Sequence, residues 1–337
     1  MIGPRAAISL PVIFFYIWIA VGDVQTLTLA PFRKATFSAD GLTLALVRPG
    51  AIALHHMDKL QEAPFLSIAE EGATMLDAAL DAAGKWLAAL VFYAEGDNPN
   101  SVLAFYDTAS GERLSRVSFG VIYQAGAVFP ALEALTSSPT GDRLALLHKD
   151  FLELWDVSDP QAPQQVETLN RLLPQVALPA LSASRLAAVE SSPGTRNISD
   201  ILLWDAADAG NRERLSRSTA YYTLLTFSES GKLLVVVREE ATVEIYDIAL
   251  REQVQAISRV GLHITALDVA TNLLAVGWRT PGLGPGMRAG VTLYDIDSGA
   301  ERWSAALLEA PDTLYLTAQR LIAASPDSGL ISIYALP

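Results

Sequence analysis

Five times between residues 103 and 303 the chain writes an alternating, strand-like run that ends in an aromatic residue and an aspartate. The five runs are "LAFYDTASGERL" (103–114), "LELWDVSDP" (152–160), "ILLWDAADAG" (201–210), "VEIYDIALRE" (243–252) and "VTLYDIDSGAERW" (291–303). Asp58, Asp107, Asp156 and Asp205 stand 49 positions apart, and Asp247 and Asp295 follow after 42 and 48. A period of about 40–50 residues with four short strands per unit is the signature of a propeller blade. Within each run apolar and polar residues alternate, as in Val243-Glu244-Ile245, which is the period-two pattern of a strand.

A polar turn precedes most of these runs: "FSADGLTLAL" (37–46), "SSPTGDRLALL" (137–147) and "FSESGKLLVVV" (227–237). Each reads as the tight hairpin between the first two strands of a blade. Gly41, Gly84, Gly141 and Gly231 supply the backbone freedom there. Three units use "SAS", "VATN" and "TAQ" at this place and are less regular. The repeated aspartates read as turn-formers that accept local backbone N–H groups. The aromatic residues before them read as packing between blades.

This pairing resembles the WD-repeat family, whose blades join a Ser-Pro-Asp-Gly-like turn to a terminal Trp-Asp dipeptide. Trp155-Asp156 and Trp204-Asp205 match that dipeptide, and Tyr106-Asp107, Tyr246-Asp247 and Tyr294-Asp295 are its tyrosine variant. The Gly-His dipeptide that many family members carry is absent, so the family's buried histidine network is not expected here. The resemblance implies an all-β, seven-bladed β-propeller of four-stranded antiparallel blades. First-to-third strands fall at 36–57, 76–106, 134–155, 178–204, 224–246, 265–294 and 313–334. The last unit has no residues left for a fourth strand, and "DVQTLTLAP" (23–31) stands unassigned before the first. Pairing these two closes the ring and leaves neither edge free.

The domain division follows: residues 1–22 precede a propeller at 23–337. After Arg5, residues 6–21 run without charge, the pattern of a signal peptide or a hydrophobic membrane-anchoring helix. Ala20 and Gly22 are spaced for cleavage before Asp23. Sixteen helical residues reach about 24 Å against a hydrocarbon core of about 30 Å, so spanning would recruit flanking residues or thin the bilayer. Either form places the propeller outside the cytoplasm. The rival is a buried core segment of a cytosolic protein.

With 24 Lys and Arg against 37 Asp and Glu, the formal charge is -13, which argues against a nucleic-acid partner. The chain has no cysteine, which excludes disulfides, thiolate metal sites and a cysteine nucleophile. No phosphate-cradling glycine pattern or paired-histidine helix occurs. "EGDNPN" (95–100) lacks the spacing of a calcium loop. No catalytic residue, metal or cofactor is therefore assigned.

What remains is a protein-binding scaffold. The longest insertions, 94–100, 191–199 and 279–290, are second-to-third connections and share one rim with the fourth-to-first connections. Among the latter, "GVIYQAGAVFPA" (120–131) is unusually apolar for a loop. Long loops on a rigid scaffold are where binding resides, although exposed tips also tolerate insertions for no functional reason. The expected partner contact centres on Tyr123 and Phe129, flanked by Tyr221 and Tyr222, with Arg196, Arg279 and Arg288 at the margin. The opposing expectation is that Tyr123 and Phe129 fold inward over the seam between the second and third blades. Two other functions stay open: an anchored structural subunit of a membrane or envelope assembly, and a propeller lactonase or hydrolase with a His, Glu and Arg trio in the channel.

Overall fold

The structure is a computed structural model that describes residues 24–94, 99–124, 127–148, 151–169, 179–192, 198–207, 211–282 and 287–336. Seven antiparallel sheets make seven blades around a central channel. The strands of blades 1 to 6 fall within residues 34–68, 73–130, 132–169, 180–218, 222–258 and 263–307. Blade 7 combines Thr313–Leu316, Arg320–Ser325 and Leu330–Ala335 with the N-terminal strand Val24–Thr28. That strand pairs antiparallel with the last one, Val24 opposite Tyr334 and Thr28 opposite Leu330. The expected closure is therefore present. The stretch expected to be a signal peptide or anchoring helix, residues 1–22, lies outside the described residues.

The polar turns work as the sequence implies, with one addition. Ser38, Ser138 and Ser228 each accept the N–H five residues on with their hydroxyl, and Asp81 does so with its carboxylate. Gly41, Gly84, Gly141 and Gly231 all take positive φ, between 65° and 74°. Each also presses on the preceding blade. A Cβ on Gly41 would lie 2.6 Å from the Tyr315 hydroxyl, and one on Gly141 would lie 2.6 Å from the Ala82 backbone nitrogen. The glycine thus serves the seam as well as the turn.

The aspartates behave as turn-formers. Asp107, Asp156, Asp205, Asp247 and Asp295 each accept a backbone N–H two or three residues on. Asp58 breaks the series. In blade 1 the aromatic position opposite Leu44 is His55, where the other blades place Tyr106, Trp155, Trp204, Tyr246, Tyr294 and Tyr334 opposite the matching leucine. Asp58 falls beyond the strand in a short 3-10 turn, so its spacing of 49 from Asp107 is coincidence. His55 is 3% exposed, and neither ring nitrogen has a hydrogen-bond partner. Burial, with the Arg48 charge nearby, holds its pKa below the usual histidine value.

Third strands depart from simple alternation. A period-two pattern would put Glu153 and Glu244 on a wet face, yet both are buried, because neighbouring blades cover both faces of every central strand. Their carboxylates are matched inside the seams. The Glu153 side chain accepts the Trp155 indole N–H at 2.9 Å, with His148 Nε2 3.3 Å away. Glu244 accepts the Tyr246 hydroxyl at 2.8 Å and pairs with Arg238 at 3.2 Å.

Candidate functional site

Two rims follow from this strand order. The turn rim carries the first-to-second and third-to-fourth connections, and the loop rim carries the rest. On the loop rim, residues 120–131 do not form a loop. The fourth strand of blade 2, Arg113–Gln124, overshoots its neighbour and returns as Ala127–Pro130, a fifth strand that among the described residues no other blade has. The sequence favours this, since 121–130 carries no charge and β-branched or aromatic residues stand at Val121, Ile122, Tyr123, Val128 and Phe129. The base is pinned at two points. Gly120, at φ 72°, donates its N–H to Asn100 Oδ1 at 2.9 Å, and Ala131 N–H donates to Ser101 Oγ at 2.9 Å.

Cross-strand register decides which side chains act together. Phe129 stands opposite Ile122, and Tyr123 opposite Val128. Directly opposed residues share a face and adjacent ones alternate, so Phe129 and Tyr123 lie on opposite faces of the hairpin. The Ile122 and Phe129 face roofs a cleft of about 380 Å³ whose other walls include Leu76 and Leu132, with Arg33 and Glu133 supplying charge. Phe129 is 46% exposed and Tyr123 71%. Phe129 thus covers the junction of blades 2 and 3 while staying half exposed, as the inward-folded alternative expects of it, whereas Tyr123 faces away from that junction.

The remaining expected residues are dispersed. Tyr222 is 5% exposed and belongs to the core between blades 4 and 5, which removes it from the rim. Its neighbour Tyr221 is exposed, and partial burial followed by the Glu240 charge raises its pKa. Glu239 and Glu240 both take positive φ in the hairpin turn beside it, and Glu240 also contacts His263 Nδ1. Arg279 is half-buried opposite His263 in blade 6, and Arg288 is exposed on the same connection. They therefore belong to blade 6, where the Arg279 charge acts on Asp312, and not to the hairpin of blade 2. Arg196 lies outside the described residues.

Two residues that sequence reasoning passed over stand on the same rim: Val260, 93% exposed, and Leu308, 88% exposed. Their only signal is a large apolar residue inside a fourth-to-first connection. The channel completes the geometry. Its mouth at the turn rim, about 440 Å³, is lined by all seven blades and includes Asp40, Glu229 and Asp268. Among the described residues no group of three or more His, Asp or Glu is placed to hold a metal ion.

The class these observations define is a seven-bladed propeller with WD-repeat-like blades. No family model matches the chain, and no curated protein matches it in sequence. Solved structures do. The β-propeller domain of Cps50 (Swd1) from Myceliophteria thermophila is similar with a TM-score of 0.64 and 15% identity, over 94% of this chain and 100% of that one. It is one of 1480 matching chains, so the likeness establishes the fold and does not single out a partner.

Proposed function

We propose that the chain is a non-catalytic, extracytoplasmic propeller scaffold of the WD-repeat type, with degenerate repeats, whose protein partner docks on the loop rim of blades 1 to 3. The projecting hairpin of blade 2 carries this reading. It presents an uncharged, aromatic-bearing edge over a cleft with apolar walls and charged Arg33 and Glu133, on a scaffold rigid enough to hold both in place. Phe129 over the cleft is the anchor, and Tyr123 on the outer face extends the contact. The similarity to a WD-type propeller domain supports a binding role, and residues 6–21 support export or tethering outside the cytoplasm. No reaction is assigned.

Phe129→Asp tests the anchor. Affinity capture from native membranes, read by mass spectrometry, should lose the partner enriched by the wild-type chain while the melting temperature stays within a few degrees. A fall in melting temperature comparable to that of a core substitution would make Phe129 a structural residue and remove the docking site from this rim. A second reading, an anchored subunit of an envelope assembly, is favoured by the first strand beginning at Val24, three positions after the apolar run ends at Val21.

A further inference from the structure

We infer that the propeller hangs from the membrane by its turn rim, so that the loop rim points away from the bilayer and its apolar tips meet a protein rather than lipid. This rests on the tethered form of the reading above. The direction of the first strand carries it. Val24 pairs with Tyr334, beside the turn at 317–319, whereas Thr28 pairs with Leu330, beside the turn at 326–329. The chain therefore enters the propeller at the turn rim and climbs toward the loop rim.

The tether is short. Only Gly22 and Asp23 separate the uncharged run from Val24, so the entry point lies within about 10 Å of the run's end. Five strand residues then carry the chain roughly 15 Å further from the membrane before the loop rim is reached. Asp23 cannot enter hydrocarbon cheaply, which fixes the interface at this junction.

This orientation decides between two occupants of the loop rim. Exposed Tyr123, Phe129, Tyr221, Val260 and Leu308 come from the connections after blades 2, 4, 5 and 6. Large aliphatic and aromatic tips spread round one rim would suit either a lipid interface or an apolar protein surface. A rim held away from the bilayer by the height of a blade does not reach the lipid that holds the tether. Its partner is a protein body stacked on the far side of the propeller.

Single-cysteine labelling tests this cleanly, since the natural chain has no cysteine. Full-length chains carrying Leu42→Cys or Leu250→Cys on the turn rim, or Leu308→Cys or Val260→Cys on the loop rim, are labelled with a fluorophore. All four native side chains are exposed, so labelling disturbs no core. The chains are reconstituted into phosphatidylcholine vesicles containing a headgroup-nitroxide lipid. Quenching should be several-fold stronger at 42 than at 308, and at 250 than at 260. Equal or reversed quenching in chains that float with the vesicles overturns the orientation while the tether stands. Chains that do not float overturn the tether itself, and the inference with it.

Discussion

Two aspartates in the channel wall hold neighbouring blades together by the same device, and they differ in what faces them. Asp77 of blade 2 accepts the Leu135 N–H of blade 3 at 3.0 Å, and Asp268 of blade 6 accepts the Leu316 N–H of blade 7 at 2.5 Å. Both also accept the N–H of the next residue, Ala78 and Val269. Asp77 has a cation as well: Lys34 of blade 1 approaches to 2.7 Å, so one side chain joins three blades. Among the described residues Asp268 has no such partner, and Glu229 is the charge that acts on it. Burial pushes its pKa up to about 6, against the two N–H bonds that favour the anion. A staple with a cation is made for the charged carboxylate. Without one, burial favours the protonated carboxyl although the two N–H bonds favour the anion.

The largest test of this contrast weakens the blade to which Asp268 is stapled. Deleting residues 23–31 strips the outer strand from blade 7, the blade that supplies Leu316 N–H, and leaves the Asp77 seam in place. Lost ladder bonds and the contacts of Leu27 and Leu29 should lower stability by about 5 kcal/mol. Amide exchange should accelerate far more at Leu316 than at Leu135. An unchanged melting temperature would break the closure account.

A smaller change should convert one staple into the other. Lys34→Met removes the cation beside Asp77, and because the lysine is 35% exposed the loss at neutral pH should be about 1 kcal/mol. The loss should vanish in an Asp77→Asn background, and a double-mutant cycle in which the two costs simply add would deny the pairing.

The smallest effect is expected from Asp268→Asn, where relief of a half-buried charge is offset by an amide N–H₂ facing a backbone donor. The net change at pH 7 should stay within about 1 kcal/mol. Its signature is in the slope. The folded chain holds a proton on Asp268 that the unfolded chain releases near the ordinary aspartate value, so stability falls as pH rises from about 4 through about 6. The difference between wild type and variant should trace that fall, and a pH-independent difference would remove Asp268 as its source.

Much of the propeller is readable from local sequence because its rules are local. A serine three residues before a turn glycine, or an aspartate two residues before its hydrogen-bond donor, needs no knowledge of the rest of the chain. Closure was readable too, because a missing strand and a surplus strand are visible as a count. The seams were not. Lys34 and Asp77 are 43 residues apart, and Asp77 and Leu135 are 58 apart; nothing between them announces the meeting. His55 was concealed by Asp58, which fits the spacing without occupying the slot. At the site, apolarity drew attention to 121–130, but only register separates Phe129 from Tyr123 and only burial withdraws Tyr222.

The pairing of Val24 with Tyr334 also has a consequence for synthesis. The first strand of the propeller leaves the ribosome about 310 residues before its partner, and a contact of that span is among the slowest a chain can make. Throughout elongation the strand waits as an unpaired edge while blades 1 to 6 assemble behind it. Loss of the final strand, Leu330–Ala335, would leave it waiting permanently. A premature stop near the end of the message should therefore be as damaging as a deletion at its start.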